Sequence, residues 1–210
     1  MAPEMISSPT SHLSLLIGGA RSGKSALAER LARASHRPVL FVATMEPGDD
    51  ELRARIAHHR SSRPAHWRTV EAPLDVVAAI HDRARSGDFV ILDCVTLWVS
   101  NMLLRSLADP DVVTPAEAAA AVESCAAAAA DILDCAGAFD GEFVVVTNEV
   151  GMGLIPPYPL GRVFRDALGR VNALIAARAD RVYYLVAGLA LELKSAGALP
   201  IDAFGEGPAP

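Results

Sequence analysis

The 210-residue chain is short of positive charge: 19 Lys and Arg stand against 25 Asp and Glu, for a formal net charge of −6. Binding a nucleic-acid backbone calls for a basic face, none can be drawn from these residues, and nucleic acid is excluded as an expected partner. Cysteine is scarce as well. Cys94, Cys125 and Cys135 form an odd set without metal-ligand spacing, which fits a reducing cytoplasm better than a metal centre. The opening "MAPEMISSPTSH" has neither a basic stretch nor an apolar core, so a secretory signal is not expected. No long run is free of charge: the alanine-rich stretch 116–136 is broken by Glu117, Glu123, Asp131 and Asp134, and it reads as a helix in water with no membrane insertion.

What is present is an ordinary globular mixture, 51% hydrophobic and 21% charged, of a length that suits one core. We expect a single domain over 13–195, with loose tails at 1–12 and 196–210 that are rich in Pro, Gly, Ser and Ala. Apolar runs rich in Val, Ile and Leu recur at 13–18, 38–44, 89–93, 143–148 and 181–188, with a short extra strand around 66–71. Helical segments fall between them at 24–35, 49–60, 73–86, 95–106, 115–136 and 160–179. This alternation predicts an α/β fold, a mostly parallel sheet covered on both faces.

Directly after the first strand stands "GGARSGKS", which satisfies G-x-x-x-x-G-K-[ST] with Gly18, Gly23, Lys24 and Ser25 and opens a helix, the context that a phosphate-binding loop requires. Its glycines let successive N–H groups converge on one anion; Lys24 would meet the β- and γ-phosphates, and Ser25 a Mg²⁺ ion. Such a loop works with an acid at the end of another buried strand. Asp93, closing "FVILD", is that candidate, although an Asp there also serves as a turn former or helix cap. Glu149, after "FVVVTN", stands at the same edge, either as a general base or metal-shell group or as a solvated loop acid. No [NT]KxD guanine-reading element occurs, which removes the signalling GTPases.

The remaining polar feature is "RIAHHRSSRPAHW", residues 55–67. At about 100° per residue on the preceding helix, Leu52, Ile56 and His59 share one face, and His58 lies about 120° away with Glu51 and Arg55. His59 is therefore the imidazole expected to turn inward, where it could coordinate a metal, move a proton, or attack phosphorus and carry a phosphoryl or nucleotidyl group. His58, His59 and His66 have no cysteine partner, which makes a zinc site the weakest of these. Two other functions stay open on the residues alone: a plain kinase for a small alcohol, and a nucleotide-switch module without turnover.

Together "GGARSGKS", the histidine stretch from Phe41 to Pro73, "VILDCVTLWVSNML" and "VVVTNEVGMGLIPPYPLGRVFRDALGRVNALIAARADRVYYLVAGLALELK" closely resemble the bifunctional adenosylcobinamide kinase / adenosylcobinamide-phosphate guanylyltransferase family. The match runs in order from Leu13 to Lys194, and its H-H-x-x-x-R-P-x-H-W and T-N-E-V-G-x-G-x-[IV]-P strings are far more specific than the P-loop. The resemblance implies a P-loop NTPase fold of the RecA-like kind, a three-layer sandwich. It implies two reactions: ATP or GTP phosphorylates the aminopropanol hydroxyl of adenosylcobinamide, and GTP then gives GMP to that phosphate through a guanylyl-histidine, releasing pyrophosphate. His59 matches the carrier and Lys24 the catalytic lysine.

Nucleotide contacts implied by the same resemblance are Gly18, Gly19, Ala20, Arg21, Ser22, Gly23, Lys24 and Ser25 in the loop, and Ala43, Thr44 and Met45 after the second strand. Arg60, Ser61, Ser62 and Arg63 after the histidine, with Glu71 and Asp93, complete the set; Ser25 and Asp93 would hold Mg²⁺. Met45 stands where many relatives have a small hydroxyl residue, and "RSSR" where others carry a lysine, an acid and a glycine. Adenosylcobinamide, its phosphate, ATP and GTP are the implied partners, in a cytoplasmic homotrimer.

Overall fold

Strands that are apolar on both faces can be buried only if helices cover both sides of the sheet, and parallel strands need just such crossover connections. A computed structural model of the chain, which describes residues 12–46 and 64–204, has this arrangement. Its strands are β1 (His12–Gly18), β2 (Val39–Ala43), β3 (Arg68–Glu71), β4 (Phe89–Asp93), β5 (Glu142–Asn148), β6 (Arg181–Val186) and β7 (Leu189–Glu192). They form one sheet in the order β3-β2-β4-β5-β1-β6-β7. All neighbours are parallel except β6 and β7.

Five α-helices are found among the described residues: α1 (Lys24–Ser35), α2 (Val76–Arg83), α3 (Val95–Ser106), α4 (Pro115–Ala138) and α5 (Pro159–Arg178). Alternation along the strands divides the core between them. Leu15, Val90, Leu92 and Val145 face α2 to α5, whereas Leu16, Ile91, Val144 and Val146 meet Ala28 and Ala32 of α1. The long α4 lies close because its inward stripe holds small residues, Ala121, Cys125, Ala129 and Ala136. Its start is fixed by a capping box: the Glu117 N–H donates to Thr114 Oγ1 at 3.3 Å, and the Thr114 N–H to Glu117 Oε2 at 2.9 Å. No helix of the described residues is long and apolar enough to cross a membrane.

Three expectations are corrected. The sixth strand, expected to reach residue 188, stops at Val186, because Ala187 (φ 50°) and Gly188 (φ 81°) adopt left-handed conformations. Two such residues make a tight hairpin turn, which sends the chain back as antiparallel β7. The helix expected over 73–86 spans only Val76–Arg83, since Pro73 and Asp75 precede its first turn and Ala84 is already extended. β3 begins at Arg68, because the Trp67 N–H closes a turn on Pro64 O at 3.0 Å. The helix expected over 49–60 lies outside the described residues. The short 3₁₀ turn Ile201–Phe204 falls within the segment expected as a tail.

Candidate active site

β1 ends at Gly18, whose place only glycine can fill: a Cβ there would stand 2.2 Å from Leu185 O and 3.0 Å from Ser22 Oγ. From Gly18 the loop curls back on itself. Arg21 (φ 57°) and Gly23 (φ 100°) are left-handed, the Ser22 N–H turns to Gly19 O at 3.4 Å, and the Gly188 N–H of the β6–β7 turn holds Ser22 O at 3.2 Å. α1 then starts without a side-chain cap and without an acid in its first turn. Its first N–H groups are thus left for an external anion, at the positive end of the helix dipole.

Lys24 is buried and donates from Nζ to Gly19 O at 2.6 Å and to Ser22 Oγ at 3.4 Å. Burial draws its pKa below the ordinary lysine value, and the negative charge of the Asp93 carboxylate pushes partly back. The ammonium is therefore a poorly hydrated cation facing an acid, a setting that favours capture of a phosphate.

Across the loop lies Asp93, at the end of β4. β5 separates β4 from β1, so the P-loop and Asp93 stand about 10 Å apart, two strand spacings, at the same edge of the sheet. Between them opens a cleft of about 650 Å³ lined by the loop from Ala20 to Ala26 and by Met45, Asp93, Cys94, Thr96, Leu97, Val146 and Asn148. Its far wall is held by a set of polar side chains bonded to one another and to the backbone. Thr44 Oγ1 donates to Cys94 O at 2.7 Å and accepts the Cys94 N–H at 2.9 Å. Asn101 donates to Thr44 O at 2.8 Å and Pro73 O at 3.0 Å. Thr96 Oγ1 accepts the Asn148 N–H at 2.7 Å, Thr147 Oγ1 donates to Asn172 Oδ1 at 2.8 Å, and Asn172 Nδ2 returns to Asn148 O at 3.0 Å. Buried polar groups that satisfy one another in this way fix a geometry.

The structure brings together Ala20, Arg21, Ser22, Gly23, Lys24, Ser25, Met45 and Asp93 in that cleft. It does not bring all the expected residues there. Thr44 is fully buried, with its hydroxyl engaged by Cys94. Glu71 is exposed at the end of β3, paired in register with Ala43 and two strands from β4, which carries Asp93. Glu149 accepts the N–H groups of Gly151 and, at 3.2 Å, Met152, which makes it a brace of its own loop. His58, His59, Arg60, Ser61, Ser62 and Arg63 lie outside the described residues.

A Mg²⁺ ion fits the donor set. The ion takes one or two protein oxygens and completes its shell with phosphate and water, and Ser25 and Asp93 offer a hydroxyl and a carboxylate to one cleft. No group of three or more His, Cys, Asp or Glu that could form an all-protein cage occurs among the described residues.

A glycine loop opening a helix on a mostly parallel sheet, with a buried lysine facing a strand-end acid, defines a P-loop nucleotide-binding protein. Residues 14–193 match the family described as cobinamide kinase / cobinamide phosphate guanyltransferase. The chain belongs to that family, a kinase and nucleotidyltransferase in one polypeptide. It is 42% identical over 180 residues to the bifunctional adenosylcobalamin biosynthesis protein CobP of Pseudomonas aeruginosa, covering 86% of this chain and 96% of that protein. It is 42% identical to the CobU protein of Escherichia coli K12, which carries the same description, and 40% identical to that of Salmonella typhimurium; each alignment covers 86% of this chain and 98% of the relative.

Proposed function

We propose that this protein phosphorylates adenosylcobinamide with ATP or GTP and then transfers GMP from GTP, through His59, to adenosylcobinamide phosphate. The products are adenosylcobinamide-GDP and pyrophosphate, a step of cobalamin assembly, in keeping with the names of its relatives. The observation that carries this reading is the phosphate cradle itself: Lys24, the loop amides and Asp93 around one cleft, in a chain of this family.

In the first reaction the aminopropanol oxygen attacks the γ-phosphorus, the bond from that phosphorus to the bridging oxygen breaks, and ADP or GDP leaves. In the second, a neutral imidazole nitrogen of His59 attacks the α-phosphorus of GTP, forming a P–N bond as pyrophosphate departs. An oxygen of the cobinamide phosphate then takes the GMP and frees the histidine. Lys24 and the N–H groups at the start of α1 stabilise charge gathering on the phosphate oxygens in both reactions. Mg²⁺ bound by Ser25 and Asp93 would neutralise phosphate charge. We further propose that residues 13–195 form the catalytic domain and that the protein works as a cytoplasmic homotrimer, which size exclusion with light scattering tests for the assembly.

The decisive experiment is peptide mass spectrometry after incubation with GTP and magnesium. One GMP adduct is expected, on His59, acid-labile and retaining label from α- but not γ-labelled GTP. An adduct on Lys24, or product formation without any adduct, overturns the carrier. His59→Ala should abolish guanylyl transfer and keep most phosphorylation, and equal loss of both contradicts the division of labour. Lys24→Ala should impair both, and full guanylylation by that variant counts against a shared phosphate site.

A further inference from the structure

The string from Thr147 to Pro156 takes part in the nucleotide cleft only through Asn148. Its remainder is a loop held firmly by its neighbours. Besides the Glu149 brace, Arg162 of α5 donates to the carbonyls of Pro156 at 3.1 Å and Pro157 at 2.9 Å, and the Tyr184 hydroxyl meets Met152 Sδ at 3.7 Å. Gly161 lets the loop lie on α5, since a Cβ there would stand 2.5 Å from the Tyr158 ring. Yet this braced loop turns its apolar side chains outward: Met152 is 80%, Leu154 95% and Ile155 71% exposed. Tyr158, which ends the loop, and Leu104, both more than half exposed, line a hollow of about 180 Å³ between α3 and α5. Exposed apolar side chains on a braced loop mark a binding surface.

Its position says what it binds. β5 lies between β1 and β4, so the loop leaving Asn148 rises between the P-loop and Asp93, and the Glu149 N–H is bonded to Gly18 O at 3.1 Å. A cleft of about 650 Å³ is of a size for one nucleotide and leaves no room for a macrocycle. The bulk of a large substrate whose short arm reacts in the cleft must therefore lie on the surface beside it. A corrin ring is broad, flat and fringed with methyl groups between its amide arms, and it needs an apolar platform with a wet rim.

We infer that the loop Gly151–Tyr158 seats the corrin ring of cobinamide while its aminopropanol arm reaches the phosphates; this rests on the cobinamide reading above. The ring lies against Leu154 and Ile155, and Met152 and Tyr158 flank it. Specificity for the corrinoid resides in this loop, separate from the nucleotide contacts.

The test uses the full-length protein with both Leu154→Gln and Ile155→Gln, side chains so exposed that the fold does not depend on them. The KM for adenosylcobinamide in the kinase reaction should rise at least tenfold, with kcat and the KM for ATP within about twofold of wild type. Equilibrium dialysis with adenosylcobinamide should weaken in parallel. Leu199→Gln, at a residue 61% exposed in an apolar groove against the second half of α5, should change neither. An unchanged KM in the double variant overturns the assignment, as does an equal rise in Leu199→Gln. Loss of oligomer by light scattering with an unchanged KM would make the loop a contact between copies instead. A wild-type protein that neither binds nor phosphorylates adenosylcobinamide overturns the cobinamide reading itself, an outcome distinct from an active wild type with an indifferent variant.

Discussion

Cys94 shares the cleft with Lys24 and Asp93, and a thiol in such a place is a potential nucleophile. Its surroundings prevent this. Burial, followed by the Asp93 carboxylate, pushes its pKa from 9.0 up to about 11, against a partial lowering by hydrogen bonds from Leu97 and Thr96. Two units mean about 100-fold less thiolate at any pH below the ordinary value, and the thiolate is the reactive form. Cys94 is therefore no rival to a histidine for covalent capture of a nucleotide. Iodoacetamide at pH 8 should label it about 100-fold more slowly than an unperturbed thiol, as followed by peptide mass spectrometry. Asp93→Asn should speed the labelling by removing the neighbouring charge, and labelling at the rate of a free cysteine in the wild type would show that the thiol is neither buried nor opposed.

At the scale of elements, the β6–β7 hairpin both completes the sheet and presses its turn against the P-loop through Gly188. One carboxylate organises its far end. Glu192 accepts from the hydroxyl and N–H of Ser195 and from the N–H groups of Val182 and Lys194, and these bonds, the Ser195 hydroxyl first, hold its pKa down to about 2. A carboxylate whose folded value lies below its unfolded value near 4.5 stabilises the fold above that pH, and the contribution is lost as pH falls toward 2. Thermal unfolding should therefore show a fall in the midpoint between pH 4.5 and 2 that Glu192→Gln lacks, the variant lying below wild type at pH 7. Identical pH profiles for the two proteins would remove Glu192 from this role.

The same hairpin shows where sequence patterning runs out. "RVYYLVAGLALELK" reads as one apolar run, because a left-handed alanine at 187 leaves no chemical mark and Gly188 alone is a weak stop. β1, β4 and β5 were legible since each is a short apolar run bounded by glycine or acid, and the P-loop fixed the start of α1 to the residue. The polar clasp of the cleft was not. Thr96, Thr147 and Asn172 are single polar residues inside apolar elements, and they meet across sequence separations of 51 and 25 residues. Thr147 opens the T-N-E-V-G string and Thr96 lies within "VILDCVTLWVSNML", but neither string says that the two threonines meet each other and Asn172. Glu149 matched a chemical role on position, but its carboxylate is occupied by nearby N–H groups.

For the whole molecule, two reactions and one cradle set a constraint. β1 carries the P-loop among the described residues, β4 carries its acid, and β5 fills the space between them with the buried Val144 and Val146 below and Asn148 at the rim. Among the described residues the sheet edge thus offers a triphosphate position between Lys24 and Asp93, of a volume that suits a single nucleotide. If ATP serving the kinase reaction and GTP serving guanylyl transfer both use this position, they compete for it, and the protein is expected to alternate between the two reactions. A non-hydrolysable ATP analogue should inhibit formation of the GMP adduct competitively: the GTP concentration for half-maximal rate rises in proportion to analogue, and the maximal rate is unchanged. The corrinoid should not relieve that inhibition, because its seat on the loop after β5 is separate from the cradle. A maximal rate that falls with analogue, at unchanged half-saturation by GTP, would instead reveal a second nucleotide site and separate the kinase from the transferase in space.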